Sequence, residues 1–260
     1  MVDNRYATAL VIGSVLSLLA TVYLSVAMGT QYWFQYSSPP TEPVNQSQMT
    51  EFKNSECEEK IYSKAMFDLN GTLGLWWRCI QPDSSSDVLP PDNESRAQPS
   101  ECTHPTGCQE PKMETSCVSF TLSQQFETKY QLSEKEDLLR TYLWRFQFLL
   151  PLVSLALVFL SGLVGVCACL CRSFTPTLGV GVLHFLAGLC SLGTICCFRV
   201  GVDLLEKTYP LPKGVEGSMG WSLYLALISF PLQMMAAALF LWAAKSHRKN
   251  YTPMVVYRVA

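Results

Sequence analysis

Charge is scarce in this chain of 260 residues: only 15% are Asp, Glu, Lys or Arg, and the formal net charge is −2. The near balance of signs leaves no basic stripe to neutralise phosphates, which excludes a nucleic-acid partner. Also missing are a nucleophile–base pair, a phosphate-binding loop and a cluster of metal-ligating side chains. Neither an enzyme nor a cofactor- or metal-dependent protein is expected. The apolar residues, 49% of the chain, are not scattered in the short periodic runs of a soluble core. They fall in four long blocks, and this assigns the chain to the membrane proteins.

The blocks are residues 6–28, 142–171, 176–200 and 221–244. Each is long enough to cross a hydrocarbon core about 30 Å thick as a helix rising about 1.5 Å per residue. The first run exceeds the apolar core of a signal peptide, about 7–15 residues, so it is read as a retained anchor. It is not taken for a leader cleaved near Ser25-Val26-Ala27. Lys245, His247, Arg248 and Lys249 follow the fourth span, Arg5 precedes the first, and Arg172 lies in the short connection 172–175. Residues 201–220 carry Asp203, Glu206, Lys207, Lys213 and Glu216, with no basic excess. The positive-inside bias then places residues 1–5, 172–175 and 245–260 in the cytoplasm and residues 29–141 and 201–220 outside. Three N-glycosylation sequons, at Asn45, Asn70 and Asn93, lie in the first outer segment and agree with this orientation. A fourth, at Asn250, falls in the cytoplasmic tail and should stay unmodified.

The segment 29–141 is too long for a plain connection and predicts a small folded domain. Residues 83–107, rich in Ser, Pro and Asp, form a flexible insert within it. Around the insert the pattern is strand-like. Residues 65–69 and 72–76 flank Asn70-Gly71, a dipeptide suited to a type I′ hairpin turn. Residues 117–122 alternate as a third strand, and residues 31–36 supply another. Ser133 and Glu136 make a capping box that opens a helix running into the second span. From Glu134 to Cys171 that helix would measure about 57 Å, so its first turns must project beyond the bilayer.

The eleven cysteines divide into five in the polar region and six within or beside the apolar blocks. Cys167, Cys169 and Cys171 end the second span next to Arg172 and are candidates for S-palmitoylation, against plain packing among helices. Arg199 and Asp203, four apart near the outer end of the third span, are expected to pair. His184 is read as a buried hydrogen-bonding residue in preference to a proton relay.

Gly74-Leu75-Trp76-Trp77-Arg78-Cys79 fits the G-L-W-x-x-C motif of the claudin-like four-span superfamily, which the chain resembles. Trp33 stands for that family's tryptophan after the first span, Cys117 for its second cysteine, and Arg140 for the arginine entering the second span. The likeness also runs through residues 3–8, 137–151, 183–190 and 257–260. It implies a four-transmembrane-helix bundle carrying a small extracellular antiparallel β-sheet, built mainly by the first outer loop. It further implies a Cys79–Cys117 disulfide and a plasma-membrane protein at cell–cell junctions, contributing to contact or to a paracellular barrier. Partners are then the bilayer and copies of itself or other claudin-like proteins.

Several features depart from the family pattern. Trp33 is far from the GLW motif, a long insert separates Cys79 from Cys117, and Cys57, Cys102 and Cys108 are additional. Cys102 and Cys108 flank a turn containing Pro105 and Gly107 and are expected to pair locally, leaving Cys57 free or intermolecular. Ala260 offers only a methyl group where claudins present a larger terminal side chain to a PDZ pocket, which argues against a PDZ scaffold as partner. The alternative function is an auxiliary subunit of an ion channel or receptor, of the calcium-channel gamma type, which shares the GLW motif. A tetraspanin-type organiser is excluded, because its large loop lies between spans three and four.

Overall fold

The computed structural model describes residues 4–38, 70–80, 116–119, 135–171, 174–208 and 211–256. Four helices carry the apolar blocks: α1 (Asn4–Gly29), α2 (Lys135–Cys171), α3 (Phe174–Thr208) and α4 (Trp221–Val256). Each contains a stretch long and apolar enough to cross a membrane. Their exposed faces remain apolar, with Val11, Leu18, Phe159 and Leu163 turned outward, as a lipid environment requires. α1 packs on α4, α4 on α3 and α3 on α2. The contacts are made by small side chains such as Ala20, Ala187 and Ala236, which let helices approach closely where lipid and protein are equally apolar.

α2 passes through Pro151 without ending, and at 37 residues it is about 55 Å long, so it outreaches one bilayer core. α3 begins at Phe174 and continues to Thr208, shortening the expected connection 172–175 and extending past residue 200. α4 likewise runs on through residues 245–256, so Asn250 sits on helical backbone.

The bundle interior has a polar seam that hydropathy conceals. Gln147, Ser154 and Ser161 on α2 are spaced seven residues apart, as are Thr177, His184 and Ser191 on α3, and all six are buried. A seven-residue repeat returns to the same side of a slightly supercoiled helix. Two of these pairs meet along the α2–α3 contact, while Thr177 Oγ1 lies 3.4 Å from the Tyr6 hydroxyl of α1. Ser154 Oγ lies 3.0 Å from Ser191 Oγ, and Ser161 Oγ lies 2.8 Å from His184 Nδ1. His184 Nδ1 is also 2.9 Å from the Val180 carbonyl oxygen, which only accepts, so Nδ1 carries the proton. Nε2 then accepts from the Ser17 hydroxyl at 2.6 Å, tying α1 to α3.

At one end of the bundle sits an antiparallel five-stranded sheet in the order β4-β3-β2-β1-β5. Its strands are β1 (Phe34–Ser37), β2 (Gly71–Leu73), β3 (Trp77–Ile80), β4 (Ser116–Ser119) and β5 (Glu216–Met219). Two expectations are corrected here. Residues 72–76 do not form one strand: β2 stops at Leu73, and the Gly74 N–H donates to the Trp77 carbonyl at 2.8 Å, closing a tight turn. Nor are Asn70 and Gly71 the central pair of a type I′ turn, which needs a positive φ at both, and Gly71 does not have one. Asn70 has φ 52°, but Gly71 is already in β2, whose two sides are taken by β1 and β3. Residues 65–69 themselves lie outside the described residues, as do Ser133 and the insert 83–107.

β5 was not anticipated. It comes from the connection between α3 and α4 and pairs with β1 over the whole of both strands, from Phe34↔Met219 to Ser37↔Glu216. Its residues, Glu-Gly-Ser-Met, lack any apolar alternation. Gly217 accounts for its seating: a Cβ there would stand 2.8 Å from the Phe34 ring and would force that side chain to shift.

Candidate functional site

The family-motif residues converge where the sheet meets the bundle. α1 ends at Gly29, and the chain turns through residues 30–33 before entering β1. Trp33 is fully buried, with its ring 5.0 Å from that of Phe198 on α3. Its indole Nε1–H donates to the Ala27 carbonyl at 2.6 Å, satisfying an acceptor that the end of a helix leaves open. The same short segment reaches two other elements. Trp33 N–H donates to the Leu73 carbonyl at 3.0 Å, and Gly220 N–H to the Trp33 carbonyl at 3.0 Å. Ser222 N–H donates to the Tyr32 carbonyl at 3.0 Å, and Thr30 Oγ1 lies 2.7 Å from Ser222 Oγ. Residues 30–33 therefore clamp the end of α1, strand β2 and the start of α4 together.

Two glycines permit the clamp to close. A Cβ on Gly74 would stand 2.7 Å from Gln31 Cα, and one on Gly220 would collide with the Tyr32 carbonyl oxygen. The glycine of the GLW motif is thus required by backbone approach; neither Gly74 nor Gly220 has a positive φ. Leu75 is buried in the apolar cluster that also holds Leu24, Trp33, Ile80, Phe148 and Phe198, so the sheet and the helices share one core. Trp76 is only partly buried and meets the Phe148 ring edge-on at 5.0 Å.

On the inner face of the sheet, Arg78 is buried with its guanidinium 4.5 Å from the centre of the Trp144 ring on α2. A cation over an indole face is stabilised by the ring quadrupole, more so where water is excluded. Neighbouring Tyr36 has its phenol pushed well above the usual range, chiefly by burial and further by the Glu206 carboxylate, while Arg78 opposes the shift. It therefore stays neutral at any physiological pH. Arg199 and Asp203 form an ion pair at 3.3 Å, half exposed and one turn apart on α3. Such a pair is worth under about 1 kcal/mol.

Cys79 and Cys117 face each other on β3 and β4 and are joined by a disulfide, with Cα atoms 4.1 Å apart. Trp33, Gly74, Leu75, Trp76, Cys79 and Cys117 are thus brought into one region. Arg140 lies on an early turn of α2, and its side chain is outside the description, as are those of Cys169 and Cys171. Cys167 is exposed near the far end of α2. Asn70 is not at a hairpin tip: its Oδ1 accepts the Ser38 N–H at 2.5 Å. Asn45, Asn93, Cys57, Cys102, Cys108 and Ala260 fall outside the described residues. Sequence reasoning missed Arg78 and Trp144, although both stand in or beside segments it singled out. A basic residue one position before the motif cysteine was the available signal.

Apart from the Arg199–Asp203 pair within α3, the interactions named here fix one element against another, so the arrangement is suited to holding a rigid extramembrane surface. Among the described residues, no group of three or more His, Cys, Asp or Glu side chains is placed to hold a metal ion. A family model described as PMP-22/EMP/MP20/Claudin tight junction matches residues 18–242.

Proposed function

Because this multi-pass membrane protein belongs to the PMP-22/EMP/MP20/claudin family, we propose that its sheet acts at cell–cell contacts as part of a barrier to paracellular passage. The observation that carries this reading is the clamp at residues 30–33. It couples the sheet to α1 and α4, so that the membrane anchor fixes the height and tilt of the surface offered to a neighbouring cell. Among the described residues, β4 and β5 form the two edges of the sheet, and one side of each has no strand partner. An edge of this kind recruits another chain through main-chain hydrogen bonds. Copies of the same protein or of other claudin-like proteins are the partners in this reading, which requires the sheet to face outward and both termini to lie in the cytoplasm.

Orientation is tested first. Glycosidase treatment of protein from cells is expected to increase its gel mobility, and removal of Asn45, Asn70 and Asn93 together should abolish the effect. A glycan on Asn250 would reverse the orientation argued from the basic tail.

The barrier is tested by small-tracer flux across a cell monolayer with and without the protein, at known surface expression. Lower flux and enrichment at shared borders are expected. Unchanged flux together with co-purification of a channel complex would replace this reading with that of a gamma-type auxiliary subunit.

A further inference from the structure

α4 carries its own measure of the membrane. Trp221 and Trp242 are 46% and 50% exposed on this helix and 21 residues apart, which is about 31 Å of helix rise. That matches a hydrocarbon thickness of about 30 Å, with tryptophan at each interface. Gln233 lies 12 residues from Trp221 and nine from Trp242, near the bilayer midplane and out of reach of bulk water on either side. It is also turned into the bundle, with 0% exposure.

Among the described residues, neither Gln233 Oε1 nor Gln233 Nε2 has a hydrogen-bond partner, and the same is true of Ser229 Oγ, also 0% exposed. Ser229 precedes Gln233 by four residues, so the two side chains share one face of α4. That face meets α3 at Gly188, where an added Cβ would stand 3.5 Å from Gln233 Cβ and 3.0 Å from the Met234 sulfur. One turn along α3, Ser191 Oγ lies 3.0 Å from Ser154 Oγ, and both oxygens are within hydrogen-bond distance of the Ala187 carbonyl. One hydroxyl therefore donates to the carbonyl, while the other donates to its neighbour or to the same carbonyl. Helix backbone offers Gln233 little, since its amides and carbonyls are consumed within the helices.

An unpaired carboxamide in the middle of the hydrocarbon is among the least tolerable arrangements a membrane protein can hold. The chemistry of the orphaned atoms selects the ligand. Nε2 has two donors and needs an acceptor, which a bound cation cannot supply. Oε1 needs a donor, which a bound anion cannot supply. A small molecule that both donates and accepts satisfies the amide and the Ser229 hydroxyl at once. We propose that the centre of the bundle is a water-binding site, in which bound water bridges Gln233 and Ser229 on α4 beside the Ser154–Ser191 pair. A site with several convergent polar groups holds water stably, whereas an apolar one stays dry. The inference is independent of the barrier reading.

Hydroxyl-radical footprinting of the full chain in lipid nanodiscs tests it, with radicals generated by X-rays from water where the water resides. Met234 and Met235 are adjacent and both oxidise to the sulfoxide. Met235 is turned outward towards lipid, while the Met234 sulfur lies against α3. Bound water at Gln233 makes Met234 oxidise several-fold faster than Met235, and the double variant Gln233→Leu, Ser229→Ala brings the ratio down towards one. Equal rates in the unsubstituted protein, or a ratio unchanged in the variant, would overturn the proposal. Where the variant does not fold, cross-relaxation between water and the Gln233 carboxamide protons in the unsubstituted protein decides. A cross-peak supports the site, and its absence refutes it.

Discussion

Replacing Trp33 with Ala destabilises the sheet end of the protein by about 3–5 kcal/mol, the cost of deleting a fully buried large aromatic. The ring fills the junction between the end of α1, β2 and Phe198 of α3. The change also removes the indole N–H donated to the Ala27 carbonyl, which keeps only the longer bond from the Thr30 hydroxyl at 3.2 Å. Trp76→Ala should cost clearly less, because Trp76 is only partly buried and its main aromatic contact is a single edge-on meeting with Phe148. Thermal or denaturant unfolding in lipid–detergent micelles, read at the sheet by limited proteolysis, checks the order. If Trp76→Ala proves the more damaging, the clamp at residues 30–33 is not what holds the sheet. Membrane insertion should survive both changes, since it depends on the apolar length of each span. In the tracer assay, the Trp33 variant should lose border enrichment and barrier while remaining in the membrane fraction.

The second large effect is expected from breaking the Cys79–Cys117 bond. The cysteines are directly opposite on adjacent strands and 38 residues apart in sequence, so the bond closes a long loop. The loss of chain entropy it imposes on the unfolded state corresponds to about 2–4 kcal/mol. It also ties down β4, which is only four residues long and, among the described residues, has β3 as its one strand neighbour. The Cys79→Ala, Cys117→Ala pair should therefore release β4 to protease while leaving the helices protected. Peptide mapping without reduction checks the linkage itself: either cysteine found with a different partner would defeat the assignment. A single Cys79→Ser change should be worse than the pair, since it leaves a polar hydroxyl at a buried position and a reactive thiol on an exposed one.

The number of spans, the class of protein and the family were legible in the sequence, because each rests on local information. Apolar length adds up residue by residue along a helix, and a motif of Trp, Gly and Cys is recognisable wherever it stands. The Arg199–Asp203 pair was legible for the same reason, since helix geometry alone puts residues four apart within reach.

The sheet was only partly so. Strands of three or four residues carry little periodicity, and β5, with Glu-Gly-Ser-Met, carries none. Its place beside β1 is set by the Phe34 ring over Gly217 and by hydrogen bonds from Gly220 and Ser222 to residues 32 and 33, close to two hundred positions away in sequence. The ranking of the tryptophans was hidden likewise. Trp33 and Trp76 are the same residue type, and only their neighbours make one a fully buried anchor and the other a partly buried one. The polar seam through the bundle was concealed by averaging, since one serine in seven hardly lowers the hydropathy of a span. Sequence by itself thus determined that the chain crosses the membrane and which motif it bears, both consequences of local composition. Tertiary structure alone decided which strand pairs with which, which tryptophan is buried and which polar groups meet at the centre, because each depends on contacts between segments far apart in the chain.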